Sequence, residues 1–296
     1  MMYSWLPTLA LLVCHSITGT ASVLMRYFVN YLDPVEIAFL RYLLGGLFIL
    51  PLFFIYRNPN LTRSLFFKSM ALGILFFGLF PYLFAQAFVY TSAARGALVL
   101  ATMPIWTMLI AKAIGHEKVN VFSLVAIFLT LVGLFISLSD KLFMPVDAAV
   151  TYKGELIMLL AAICGAVYAI FARPVLKQIP ATTMTPIAML AGCTVLFPFA
   201  VAGGIDQHVL SLSNMQLGLV IYVGIVTGGI AFFLFSWVLT RTTATFNTMF
   251  VTLNPIVAIF LGYLFLGEVI HLNFIIGVLI VFSGLGLAVY SQRKHS

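Results

Sequence analysis

The sequence predicts an all-α integral membrane protein of ten transmembrane helices, built as two inverted five-helix repeats. Three observations predict it. First, 63% of the 296 residues are hydrophobic and only 8% are charged, whereas a soluble domain averages about 25% charged residues. Second, the apolar residues gather into ten long runs, and a bilayer core needs about 20 apolar residues per helix. Third, the chain repeats itself. Pro104 meets Pro255, and the same shift of 151 positions pairs Ala93 with Ala244, Glu117 with Glu268 and Gly78 with Gly229. It also pairs Phe84 with Phe235 and Gly133 with Gly284. The two copies occupy 1–145 and 150–296.

The runs fall at about 5–27, 34–56, 66–89, 95–114, 120–139, 154–173, 184–203, 215–238, 245–266 and 272–291. Each boundary carries a turn or charge signal. Asp33-Pro34 closes the first, Asn58-Pro59-Asn60 the second and Thr91-Ser92 the third. His116 to Asn120 follows the fourth, and Asp140 to Lys153, the longest connection, joins the repeats. The second copy is divided at Lys177 to Pro180, Gly203 to Gln207, Arg241-Thr242-Thr243 and Glu268 to Asn273. The first run lacks a basic leader and a cleavage site, so it is expected to remain as a helix. Long continuous apolar runs span lipid as helices, not as strands.

The net charge of +7 is scattered over short loops, which points to lipid and away from nucleic acid as a partner. With a cytoplasmic N-terminus, the inner loops and helix ends hold Arg57, Arg63, Lys68, Lys112, Lys118, Arg173, Lys177, Arg241, Arg293 and Lys294. The outer ones hold only Arg26, Arg95, Lys141 and Lys153. Ten against four places both termini inside. Five helices per copy is an odd number, so the second copy enters from the opposite side. Inverted repeats of this kind build many secondary transporters, with the site near midplane between the repeats. Cys14, Cys164 and Cys193 lie within apolar runs and read as packing residues, neither disulfides nor metal ligands. No phosphate-binding glycine loop, zinc-protease helix or serine-nucleophile motif is present. The expectation is a non-enzyme without cofactor or metal, acting on a small molecule, with monomer and homodimer both open.

Short motifs, in order, resemble the drug/metabolite transporter superfamily, in its EamA-type ten-helix members. Pro34 with Phe39-Leu40-Arg41 is similar to the family's entry to helix 2. Thr18-Gly19 and Arg26 occupy the places of its Trp-Gly and Lys on helix 1, and Tyr168-Ala169 that of Trp-Ala in the second copy. Pro104 with Gly115-His116-Glu117, and Pro255 with Gly267-Glu268, match its proline helices and their Gly-Glu endings. Thr18 departs from the family's aromatic, and His116 is inserted within the Gly-Glu pair. The resemblance implies that helices 1, 3, 4, 6, 8 and 9 line a central cavity, with 5 and 10 peripheral. It also implies export of organic metabolites across a bacterial inner membrane.

Candidate substrate-binding residues follow from polar groups inside the runs. His15, Thr18, Ser22 and Arg26 recur at spacings that share one helical face, and intramembrane polar groups turn toward a bundle interior or an aqueous cavity. Tyr82 and Gln86, with Phe233 and Trp237 at the equivalent positions, suggest a cavity wall of an amide, a phenol and two rings. Asn247 and Asn254 share a face of helix 9; Thr102 and Trp106 flank Pro104 on helix 4; Tyr168 lies on helix 6. Pro104 and Pro255 are hinge candidates, since proline removes a backbone donor. Arg41 reads as snorkelling or as an ion-pair member, and Glu117 and Glu268 as loop-fixing groups. All eight acids fall in loops or terminal turns, which leaves His15 as the one deep titratable candidate for proton coupling. The predicted function is a secondary exporter of amino acids or amphipathic compounds working by alternating access. A lipid or polyprenyl-linked carrier and a membrane-embedded enzyme are the alternatives.

Overall fold

The computed structural model describes residues 5–28, 30–56, 58–91, 93–117, 120–142, 152–266 and 271–294. Among these the chain forms ten helices long and apolar enough to cross a membrane, and no strand. They are α1 (Leu6–Phe28), α2 (Pro34–Ile55), α3 (Arg63–Ala87), α4 (Arg95–Ala113) and α5 (Val121–Leu142). The second set is α6 (Lys153–Leu176), α7 (Ala181–Gly203), α8 (Asn214–Leu239), α9 (Ala244–Leu261) and α10 (Leu272–Lys294). A six-residue helix, Ile205–Leu210, fills the connection after α7. Large apolar side chains such as Phe54, Phe128, Leu160, Leu279 and Phe282 stay exposed, a surface suited to lipid and untenable in water.

Local chemistry sets the helix ends. Asp33 caps α2, accepting from Val35 N (2.8 Å), while Glu36 accepts from Asp33 N (2.9 Å). These reciprocal bonds are a capping box, and Pro34 at the first helical position needs no donor. Glu36 is fully buried and also meets His208 Nδ1 at 3.0 Å, which ties the start of α2 to the short helix after α7. Ser213 and Gln216 form the same device at the start of α8.

The repeat relation governs the packing. α2 packs on α7 and α5 on α10, each pair being mates under the shift of 151. α1 packs on α8 and α9, and its mate α6 packs on α3 and α4. α2 packs on α8, and α7 packs on α3. Each of these pairings recurs with the repeats exchanged, and the two copies interlock. α5 and α10 sit chiefly against each other at the periphery. Glycine permits the closest crossings: a methyl at Gly45 on α2 would lie 2.6 Å from Gly229 N on α8, a small-residue crossing typical of membrane helices.

Both copies also carry the same backbone irregularities. α3 has a π-helical stretch at Ile74–Leu79, and α8 has one at Val223–Ile230. α4 is interrupted at Ala101-Thr102, just before Pro104. α9 tightens into a 3-10 turn at Phe250–Thr252, just before Pro255. Irregular backbone at membrane depth is tolerated where it is buried in protein or lines a cavity, and π-bulges recur at functional sites.

Candidate functional site

α1 and α9 meet through a polar cluster contributed by both repeats. Asn254 Oδ1 accepts from Thr18 Oγ1 (2.8 Å) and faces His15 Nδ1 at 3.0 Å. Since Oδ1 only accepts, His15 donates through Nδ1–H, and its Nε2 becomes a buried acceptor without a partner among the described residues. His15 is 4% exposed and stands edge-on to Phe235. A buried acceptor without a donor is a place for a water or a solute group. The approach is close because Gly19 has no side chain: a Cβ there would meet Val257 at 2.6 Å. Ser22 lies on α1, but its side chain, like that of Arg26, is outside the described residues.

Next to this cluster is an aromatic core. Tyr168 on α6 is fully buried and stacks on Phe76, with centroids 4.2 Å apart and planes 8° apart. Phe77, Phe232, Phe235 and Tyr42 complete it. Phe76 and Phe77 belong to the π-helical stretch of α3. Arg41 joins from α2, with its guanidinium 5.4 Å from the Phe232 centroid and 5.5 Å from that of Tyr42. Nη2 donates to Thr227 O (2.9 Å) within the π-helical stretch of α8.

The other candidates distribute differently. Thr102 Oγ1 donates to Val99 O (2.6 Å) and accepts from Trp106 Nε1 (3.1 Å), so this pair closes the break in α4. Trp106 packs beside Met103, Ala162, Ala166 and Val251, between the repeats. Asn247 is fully buried and donates to Phe235 O (3.2 Å), and its Oδ1 has no partner among the described residues. It therefore fastens the start of α9 to α8. Phe233 packs against the main core, and Tyr82 lies on Phe199 of α7, with centroids 5.0 Å apart. The wall expected from Gln86 and Trp237 is not assembled. Gln86 stands at the last turn of α3 and Trp237 at the last turn of α8, and an inversion carries equivalent positions to opposite membrane ends. Trp237 instead lies under the Arg241 guanidinium, 3.7 Å from its ring centroid. Arg41 is not ion-paired among the described residues, contrary to one reading of it. Pro104 is buried and Pro255 half-buried, each just past its backbone break.

Symmetry breaks at the two ends of the bundle. At one end, the first turns of α9 pack on the end of α4 and on α6. Glu117 accepts from Ala244 N (2.6 Å) and Thr245 N (3.4 Å), and Thr248 Oγ1 bonds Thr107 Oγ1 (3.3 Å). His116, Glu117, Arg173 and Lys177 line a crevice of about 300 Å³ beneath this seal. At the other end, the start of α4 has no comparable packing on α9 or α1 among the described residues. Glu268, with Gly267, lies outside them. Sequence reasoning missed the π-helical stretches, the seal and the setting of Arg41. The shared glycines Gly78 and Gly229 were the available signal for the first.

Interlocked inverted repeats around a buried polar and aromatic centre define a polytopic helical membrane protein of the carrier type. The comparisons agree with this class. The profile of the EamA-like transporter family matches residues 5–139 and 152–290, and the chain belongs to that family. An uncharacterized transporter of Bacillus subtilis, YoaV, is 24% identical over 94% of this chain and 95% of its own length. The WAT1-related protein At2g39510 of Arabidopsis thaliana is 23% identical over 98% of this chain and 86% of its own length. A solved crystal structure shares the fold with a TM-score of 0.78 at 15% identity, covering 98% of both chains. The protein is a multi-pass membrane transporter of small molecules and not an enzyme.

Proposed function

We propose that the protein exports small organic metabolites, such as amino acids or amphipathic compounds, across a cell inner membrane by alternating access. The observation that carries this reading is the asymmetry of the ends. The repeats recur in sequence and fold, yet one end is sealed by α9 on α4, and among the described residues the equivalent end shows no comparable packing. Two end-states related by the inversion of the repeats are what a rocking carrier requires. Under the Lys and Arg distribution, the sealed end, with Lys112, Arg173, Lys177 and Arg241 near it, is the cytoplasmic one. Both termini are then cytoplasmic, and the site faces outward.

The interlocking modifies the simplest scheme. Moving residues 1–145 against 150–296 as rigid halves would break the contacts of α1 with α8 and α9 and of α6 with α3 and α4. The rocking bodies in our reading are α1, α2, α8 and α9 against α3, α4, α6 and α7. The α2–α7 contact serves as pivot, and the breaks before Pro104 and Pro255 as hinges. The substrate meets the His15–Thr18–Asn254 cluster and the rings around Tyr168. The test is uptake of a labelled metabolite panel into proteoliposomes. Saturable flux of some members supports the reading, and no flux of any member refutes it.

A further inference from the structure

We infer that Arg41 is an anion-recognition residue of this site, so the transported class carries a carboxylate or an equivalent anionic group. The inference rests on the reading of the bundle centre as the substrate site. Arg41 is the seventh residue after the start of α2 at Pro34, which sets it about 10 Å below the outer end of that helix. An arginine at that depth is costly unless something answers its charge. None of the described carboxylates does. Glu36, in the first turn of the same helix, is engaged by Asp33 N at 2.9 Å and His208 at 3.0 Å. Glu155 pairs with Arg95 at 3.5 Å and accepts from Thr91, and Glu117 holds the start of α9.

The side chain is nevertheless held in place. Nη2 bonds Thr227 O, the plane packs near Phe232 and Tyr42, and α2 crosses α8 closely, with a methyl at Gly228 reaching 2.5 Å from Arg41 O. Yet among the described residues Nε, which is buried, has no partner, and Nη1 makes no hydrogen bond. A guanidinium offers five donors in a rigid fork matched to carboxylate geometry. A fixed fork with free donors beside aromatic rings suits an organic anion with an apolar or aromatic body. The position also breaks the repeat symmetry, since its mate, Gly192, has no side chain and packs on Phe77. The charge therefore serves neither the shared packing nor the repeat architecture.

The test uses the full-length protein in nanodiscs. Equilibrium dialysis compares L-phenylalanine with L-phenylalaninamide, and phenylacetate with phenylacetamide. The expectation is that wild type binds at least one acid about tenfold more tightly than its amide. Arg41→Gln should bring that ratio to about one, while Arg41→Lys, keeping the charge without the fork, should hold an intermediate ratio. Melting temperature and gel filtration of both variants identify loss of fold, and Arg41→Lys keeps the test decisive if Arg41→Gln is unstable. Binding of no acid, equal binding of acid and amide by wild type, or a full acid preference in Arg41→Gln overturns the inference. Proteoliposome flux separates the two readings. Acids that bind without being moved refute the carrier and leave Arg41 as an anion site. Flux indifferent to acid or amide refutes Arg41 and leaves the carrier.

Discussion

Replacing Glu117 with Ala should open the sealed end of the bundle. The carboxylate meets the first two N–H groups of α9, at 2.6 and 3.4 Å from Ala244 N and Thr245 N. A hydrogen bond to a charged group contributes about 1.5–3 kcal/mol net, and a carboxylate at a helix N-terminus adds about 0.3–1 kcal/mol. Glu117 is half-buried and the second bond is long, so the lower part of this range applies, about 1.5–2 kcal/mol. If Glu117 makes these bonds only in the sealed state, their loss raises the unsealed fraction about 10- to 30-fold. The assay is alkylation of Thr248→Cys, a position buried at 0% exposure in the seal, after Cys14, Cys164 and Cys193 have been replaced. Adding Glu117→Ala should speed labelling by N-ethylmaleimide by that factor, and Glu117→Gln by less. A labelling rate changed less than about twofold, in a protein that still melts cooperatively, would show that Glu117 does not hold this end shut.

Other perturbations report on other parts. Gly45→Val should lower the melting temperature in detergent, because a Cβ would stand 2.6 Å from Gly229 N and overpacking costs about 1–3 kcal/mol; an unchanged value would mean the α2–α8 crossing is looser. Asn254→Leu should also destabilise and impair flux, since Thr18 and His15 would each lose their acceptor at 2.8 and 3.0 Å. A single cysteine at Asn60 should resist an impermeant reagent added outside intact cells, and labelling there would reverse the assigned orientation. Flux should proceed in wild type without an imposed pH gradient, and His15→Gln, even where it slows that flux, should not make it gradient-dependent. Accumulation driven by the gradient in both would reveal a coupling group other than His15.

The helices were legible because lipid imposes a simple rule: each run of apolar residues must satisfy its backbone internally. The inversion was legible because five is odd and the shift of 151 is constant. His15, Thr18 and Asn254 were all identifiable as polar groups on spanning helices, though spacing could not show that one amide joins them across α1 and α9. Gln86 and Trp237 misled because equal repeat position does not mean spatial proximity when the repeats are inverted. The π-helical stretches are backbone events, which composition records only through glycines such as Gly78 and Gly229. Arg41 looked like a snorkelling cation because the sequence does not reveal that its helix turns it toward Thr227 and Phe232. Glu117 was readable as a loop-fixing group, and the structure shows that what it fixes is the start of α9.

The central claim is that the sealed end must open for a substrate to cross. Thr107 and Thr248 face each other within that seal, with hydroxyl oxygens 3.3 Å apart. The most direct measurement is flux in proteoliposomes of a Thr107→Cys, Thr248→Cys double variant, otherwise free of cysteine, before oxidation, after it, and after reduction. Flux should stop when the disulfide forms and return when it is reduced, with each single variant unaffected by oxidant. A cross-linked protein that transports as fast as its reduced form would contradict alternating access through this end.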